Sequence, residues 1–361
     1  MTLLRSERGY SLVEMLTSTA IMLVVTGSIF ALVTPSMGTS QAQPEAADQQ
    51  QRMRVSVDAL SRDIVMAGAG PYQGATTGGL VNYFAPVLPY RMGQQGSDPA
   101  MGIYYRSDAI TVLYVPNTAA QTTIRDSMPD VSAEIKVNPQ PNCPVGDDLC
   151  GFREGMNILI FDASGAWESF EVTQVQESAL HLQHRGQQFQ KAYEAGSYII
   201  QGEFHTYYLD AATDRLMHYD GITTELPIAD NVVGLRFQYY GDPNPPLVMK
   251  PPIGTANCVY DMSGIPVLPT LPSTSGSLVE LTQQMLTDGP WCGNPPSQFD
   301  ADLLRVKKIR IALRTQVASD GLRGTNAAMF ARPGTNTDAN RVVPDFSTVF
   351  ELAPRNLNLA R

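Results

Sequence analysis

Positive charge is scarce in this chain of 361 residues: 25 Lys and Arg stand against 35 Asp and Glu, a formal charge of -10. That balance argues against nucleic acid or an anionic membrane surface as a partner held by bulk electrostatics. The one basic cluster, RVKKIR at 305–310, reads as a strand whose charges alternate with Val306 and Ile309 on the outer face of a sheet. Cysteine is sparse as well. Cys143, Cys150, Cys258 and Cys292 are the full set, and none shows the C-x-x-C spacing of zinc or thioredoxin-like sites. Catalytic signatures are missing: there is no G-x-S-x-G elbow, Walker A loop, complete G-x-G-x-x-G or H-E-x-x-H. The expectation is a chain that is not an enzyme, and no internal repeat is evident.

The most informative absence is local. RGYSLVEMLTSTAIMLVVTGSIFALV (8–33) contains 24 almost wholly apolar or small residues from Tyr10 to Val33, with no Lys, Arg or His among them. As a helix this stretch is about 36 Å long, against about 30 Å of bilayer hydrocarbon. A cleaved secretory signal has a shorter apolar core, so a membrane-spanning anchor fits better. Arg5 and Arg8 precede the span and Glu45 and Asp48 follow it, so the positive-inside rule keeps the first residues cytoplasmic and exports the rest. Inside the span lies one acid, Glu14, a costly residue at membrane depth that calls for a cation. Cleavage after Gly9 would supply it as the α-amine of Tyr10, four residues from Glu14 and equally open to the Glu14 of a neighbouring copy.

RGYSLVEML resembles the class III signal of type IV prepilins and type II secretion pseudopilins: a short basic leader ending in Gly, an aromatic at the cut, and Glu at the fifth mature position. The resemblance implies cleavage by prepilin peptidase between Gly9 and Tyr10, N-methylation of Tyr10, and a contact from Glu14 to an adjoining subunit. Tyr10 departs from the more usual Phe. Further along, LSRDIVMAGAG (60–70), LMHYDG (216–221), NVVGLRFQYYGD (231–242), RVKKIRIALRT (305–315) and TVFELAPRNL (348–357) resemble, in order, the sequence blocks of PilW-type minor pilins; GspJ-type minor pseudopilins are close relatives.

The remaining chain reads as one helix and many strands. Pro35 and Gly38 loosen the end of the span, and 38–51 is polar and reads as a linker. In RMRVSVDALSRDIVMAG (52–68), Met53, Val57, Leu60 and Ile64 form one apolar helical face, with Arg54–Asp58 and Asp58–Arg62 as (i, i+4) pairs opposite. Strand patterns follow at 108–116, 155–162, 167–175, 197–210, 231–242, 302–317 and 345–354, with a hairpin turning at DAATD (210–214). Residues 243–296 hold 11 of the 26 prolines and read as a surface insertion. Within it SLVELTQQMLTDG (277–289) suggests a short helix with a Ser277/Glu280 capping box.

If everything after the span is exported, the cysteines are expected as two structural disulfides. Pairing by proximity gives Cys143–Cys150 and Cys258–Cys292, although four cysteines allow three connectivities. Chain entropy would make these bridges worth roughly 2.5 and roughly 4 kcal/mol. His181 and His184, three apart in a strand, point to opposite faces and do not suggest a shared metal. His205 and His218 read as cross-strand packing or surface residues in the hairpin. DASGAWE (162–168) and GDD (146–148) offer oxygen ligands for calcium, yet neither continues as an EF-hand loop, so no cofactor or metal is expected.

The expected organisation is a leader at 1–9, a membrane and filament-core helix at 10–34, a linker and amphipathic helix at 35–70, and an exported β-rich domain at 71–361 carrying the disulfide-stapled 243–296 insertion. The fold class is α+β, pilin-like, with the long N-terminal helix packed on antiparallel sheet. The resemblance implies a minor pilin in the tip or priming complex of a type IV pilus. Its partners would be prepilin peptidase, other minor pilins, the major pilin and the inner-membrane assembly platform. Before assembly it would be a single-pass inner-membrane protein with its C-terminal domain in the periplasm. The alternatives are a minor pseudopilin of type II secretion, an adhesin binding through the insertion, and an anchored exported enzyme.

Overall fold

A computed structural model describes residues 10–70, 80–93, 105–116, 120–140, 143–162, 165–248, 250–293, 298–338 and 341–358, with backbone alone for 34–41. The expected leader, with Gly9, lies outside the described residues. An N-terminal apolar helix is followed by a β-rich region of antiparallel sheets and two disulfides, a coarse α+β architecture. The chain forms two compact units, Met1–Gln51 with Gln316–Asp345, and Arg52–Thr315 with Phe346–Arg361.

The N-terminal helix spans Leu12–Met66. Within the first unit, Leu12–Val33 is exposed along its whole length and is long and apolar enough to cross a membrane or to act as a signal. The polar stretch expected as a linker is helical too, through Pro35 and Pro44. Ala, Gln and Glu, all good helix formers, flank Pro44, and the helix continues despite the roughly 3 kcal/mol cost of an interior proline. The 316–345 segment buries Val317, Leu322 and Phe330. Its frame is polar: the Gln316 amide donates to Asp345 Oδ1 (2.8 Å), and Arg323 donates to Gln316 Oε1 (3.1 Å) and pairs with Asp320. Ala318 N donates to Glu45 Oε2 (3.2 Å), and Gln49 Nε2 to the Pro344 carbonyl (3.3 Å).

In the second unit the helix buries Met53, Ser56, Leu60 and Asp63 at alternating spacings of three and four, with Ile64 beside them and Ala67 just past its end. Val57 packs at its edge, and Arg62 pairs with Asp63 (3.2 Å). The stripe shares a core with a five-stranded sheet ordered Val87–Leu88, Ala109–Tyr114, Glu203–Asp210, Arg215–Tyr219 and Glu225–Asp230. A second sheet, ordered Val279–Leu281, Val232–Gly241, Val306–Thr315 and Phe346–Leu352, completes that core.

A third sheet, Gln121–Thr123, Tyr198–Gln201, Asn157–Phe161 and Trp167–Glu171, is covered on both faces. Leu159, Phe161 and Ile200 face the main core, while Ile158, Ile160 and Ile199 face a second cluster with Phe170 and Tyr193. Burial on both faces is why NILIF reads as a continuous apolar run instead of an alternating one. A small sheet of Ile135–Lys136, His181–Gln183 and Gln174–Gln176 lies beside the same cluster.

The expected strand at 197–210 is two strands in two sheets, broken at Gly202, where an added Cβ would sit 2.2 Å from Leu159 Cγ. Close backbone approach, which only glycine permits, lets the chain change sheets there.

The expected helix at 277–289 is not formed. Val279–Leu281 pairs as an edge strand on Tyr239–Gly241, with Leu281 buried and Glu280 accepting from Gln238 Nε2 (3.0 Å). Ser277 Oγ donates backward to the Thr274 carbonyl (2.8 Å), so no capping box closes, and one turn remains where Leu286 N meets the Thr282 carbonyl (3.1 Å). Pairing with a long, already built strand outweighs local propensity over so short a stretch.

The 243–296 segment is also more than a surface insertion. Val259, Tyr260, Leu268 and Leu286 are buried in the main core, and Cys258–Cys292 ties the segment to Trp291–Cys292, which pairs with Phe299–Asp300. Its base is clamped by Arg305, which is wholly buried. The guanidinium pairs with Asp302 (2.5 Å) and donates to the carbonyls of Pro243 (2.9 Å), Asn244 (2.8 Å) and Pro269 (2.6 Å). RVKKIR is therefore not uniformly an outer face. Val306 and Ile309, three residues apart, are both buried because a bulge opposite Tyr240–Gly241 rephases the strand. Cys143 pairs with Cys150 in the second cluster's neighbourhood, and no cysteine is free.

Candidate functional site

At the start of the helix, Glu14 is engaged locally. Ser11 N donates to Glu14 Oε2 (2.8 Å) and Glu14 N to Ser11 Oγ (3.2 Å), a reciprocal capping box. Tyr10 beside it is exposed. The hydroxyls of Thr17, Thr19 and Ser28 fold back onto carbonyls one turn earlier, so the span satisfies these polar groups within its own backbone. Sequence reasoning missed the box, although S-x-x-E is legible in SLVE.

A second concentration of polar groups lies where the helix meets the five-stranded sheet. Asp63 is almost wholly buried in the helix's apolar stripe. His205 and His218 come from the two strands of the hairpin, on adjacent diagonal positions, since His218 lies opposite Tyr207. Their rings stack with centroids 5.0 Å apart, and His205 Nδ1 lies 2.8 Å from His218 Nε2. The same Nδ1 is 3.3 Å from Asp63 Oδ2. The hairpin placement expected for both histidines is observed; their convergence on Asp63 is new.

A surrounding set of groups orients these three. Tyr207 OH donates to Asp63 Oδ2 (2.5 Å), and Tyr114 OH reaches Asp63 Oδ1 (3.4 Å) and His205 Nε2 (2.9 Å) while stacking on that imidazole. Glu203 Oε2 lies 3.2 Å from His205 Nε2. An ionised carboxylate only accepts, so Glu203 calls for a proton on His205 Nε2, while Nδ1 faces Asp63 Oδ2 and His218 Nε2. The hydrogen bond from His205 in turn holds the Glu203 carboxyl below its ordinary value. Burial, then the neighbouring His205, pushes the His218 imidazole down toward its neutral form, and burial together with Asp63 pushes the Tyr207 phenol up. His205 and Glu203 also border an open groove of about 450 Å³, lined by Arg153, Asn157 and Asp220 among others.

The ligand atoms of Asp63, His205 and His218 all lie within 4.8 Å of one another, and this is the set among the described residues able to hold a metal ion. His181 and His184 do not join it. His181 Nδ1 meets Glu134 (2.9 Å), whereas His184 meets the Gln187 (2.9 Å) and Ala133 (2.8 Å) carbonyls. Of the oxygens weighed for calcium, those of Asp162 and Glu168 are engaged by protein groups. Asp162 pairs with Lys191 (2.5 Å). Glu168, pushed up by burial, accepts from Gln190 N (2.8 Å) and Tyr193 OH (3.2 Å). Residues 163–164 between them lie outside the described residues.

Asp63 carried a legible signal. At three residues from Leu60 and four from Ala67 it occupies the apolar stripe itself, where an acid is unexpected. Glu203, Tyr114 and Tyr207 carried none, since only strand pairing brings them to it. No family model, curated protein or solved structure matches this chain.

Proposed function

We propose that the chain is a minor pilin: a structural subunit held in the inner membrane by its first helix and then drawn into a type IV pilus, in or near the complex that primes assembly. One observation carries the reading. RGYSLVEML stands directly at the start of a helix whose Leu12–Val33 segment is apolar and exposed on all sides, with the Thr17, Thr19 and Ser28 hydroxyls bonded within the helix. A segment of that kind requires either lipid or other copies of itself around it. In this role the peptidase cuts after Gly9, and the Tyr10 amine and Glu14 register one subunit against the next. Cys143–Cys150 and Cys258–Cys292 suit an exported, oxidising location.

The deciding experiment is terminal-peptide mass spectrometry on sheared surface filaments and on membranes. A peptide beginning at N-methylated Tyr10 in the filament fraction is expected. A chain starting near Met1, or at Gln43, in cells with active prepilin peptidase would overturn the reading. The same peptide confined to membranes of cells that secrete folded cargo would point instead to a pseudopilin.

An adhesive or partner-binding role for the 243–296 segment has its own support: Leu247, Ile253, Met262 and Ile265 are all exposed on it. Because the segment contributes to the core, the test is substitution of Ile253, Met262 and Ile265 by Ser, leaving the segment in place. Loss of adhesion at unchanged pilus number is expected from that role; lost piliation would count against it.

A further inference from the structure

We infer that Asp63, His205 and His218 bind a divalent transition-metal ion of the zinc class, which pins the exported part of the N-terminal helix to the sheet. The inference stands apart from the filament reading, since it concerns the second unit alone. Three ligand atoms converge: Asp63 Oδ2, His205 Nδ1 and His218 Nε2, with separations of 3.3 Å from the carboxylate to His205 and 2.8 Å between the imidazoles. In a tetrahedral zinc site with bonds near 2.1 Å, ligand atoms stand about 3.4 Å apart, so the carboxylate–imidazole edge fits as it is. The imidazole pair needs to open by about half an ångström, within the reach of small ring rotations.

Ligand chemistry favours the same class. Two imidazoles and one carboxylate suit zinc and its first-row neighbours, while calcium and magnesium prefer oxygen alone. The outer shell is also present. Glu203 holds the far nitrogen of His205 in the carboxylate–histidine–metal arrangement that fixes ring orientation, and Arg62 and Tyr114 occupy Asp63 Oδ1, leaving Oδ2 as the single ligating oxygen. Tyr207 OH, at 2.5 Å from Oδ2, supports that oxygen. The groove lined by His205 and Glu203 brings solvent to the edge of the site. A competing arrangement needs no metal: His218 donates to His205, His205 to Glu203, and Tyr207 to Asp63.

The test uses the full chain in detergent, stripped with chelator, dialysed against zinc or cobalt, and analysed for metal by mass spectrometry. One tightly held equivalent is expected, with visible d–d absorption of the cobalt form and a raised melting temperature that chelator reverses. His218→Gln keeps a hydrogen-bonding side chain and should lose the equivalent, while Glu203→Gln should bind roughly 10–100-fold more weakly. His181→Gln, on the other small sheet, should bind normally. Wild-type protein with no stoichiometric metal, or with a melting temperature indifferent to chelator, overturns the site. So does an undiminished equivalent in His218→Gln. Should Asp63→Asn fail to fold, these measurements decide without it.

Discussion

Two stretches of one helix, Leu12–Val33 and Met53–Met66, have the same backbone and opposite surroundings. The first is apolar around its whole circumference and exposed throughout; the second buries one stripe and leaves the other face in water. Each carries a carboxylate out of place by simple hydropathy. Glu14 is held by its own helix terminus, through Ser11, whereas Asp63 is held by tyrosines from strands far away in sequence. Stability of the second stretch therefore belongs to the β-rich unit, while the first is exposed along its whole length.

The largest expected effect tests what Glu14 is for. Glu14→Gln keeps the capping box, since Gln serves equally at that position, but removes the charge. On the proposed role, the amount of this chain in sheared filaments, read by immunoblot, falls more than about tenfold, the order of loss when a buried charge partner is removed. Ser11→Ala, which removes only the cap, should leave incorporation near wild type. A loss in Ser11→Ala with Glu14→Gln near wild type would make Glu14 a helix cap and nothing more.

Next in size is Arg305→Ala. It leaves Asp302 buried without its cation and three carbonyls without donors, and should cost about 3–5 kcal/mol in denaturant unfolding of the β-rich unit. Hydrogen exchange should then quicken at the 243–296 base and at 53–66 together. Exchange in 12–33, measured in detergent, should not change.

Leu60→Ala should destabilise the β-rich unit by about 2–5 kcal/mol, as truncation in a packed core does. Leu23→Ala, the same change on the bare stretch, should leave that unit's midpoint unmoved. A shift of similar size from both would abolish the distinction between the two stretches.

The smallest effect is a pH dependence. Burial raises the Asp300 carboxyl to about 6, against the backbone donors of Asp302 (2.9 Å) and Gly289 (2.6 Å) that pull it down. A carboxyl raised on folding binds its proton more tightly in the native state, so its contribution is full below about pH 4 and lost as pH rises through about 6. The slope between these values should amount to at most about 3 kcal/mol and disappear in Asp300→Asn. Helicity of 12–33 should be flat over the same range.

Much of this molecule was determined by sequence alone. The apolar span, the amphipathic stripe from Met53 to Ile64, and the longest strands follow from period and turn chemistry, and the two disulfides join the cysteines closest in sequence. These are short-range properties, written in consecutive residues. Tertiary structure decided the rest, because the forces involved act between distant segments. Leu281 chose an edge strand over a helix because Val232–Gly241 was there to pair with; Gly202 split one apolar run between two sheets because Leu159 stands against it. Arg305 went inward because the carbonyls of Pro243, Asn244 and Pro269 converge on it. Asp63, His205 and His218 are scattered along the chain, and only the seating of a helix on a hairpin brings a carboxylate and two imidazoles to one point.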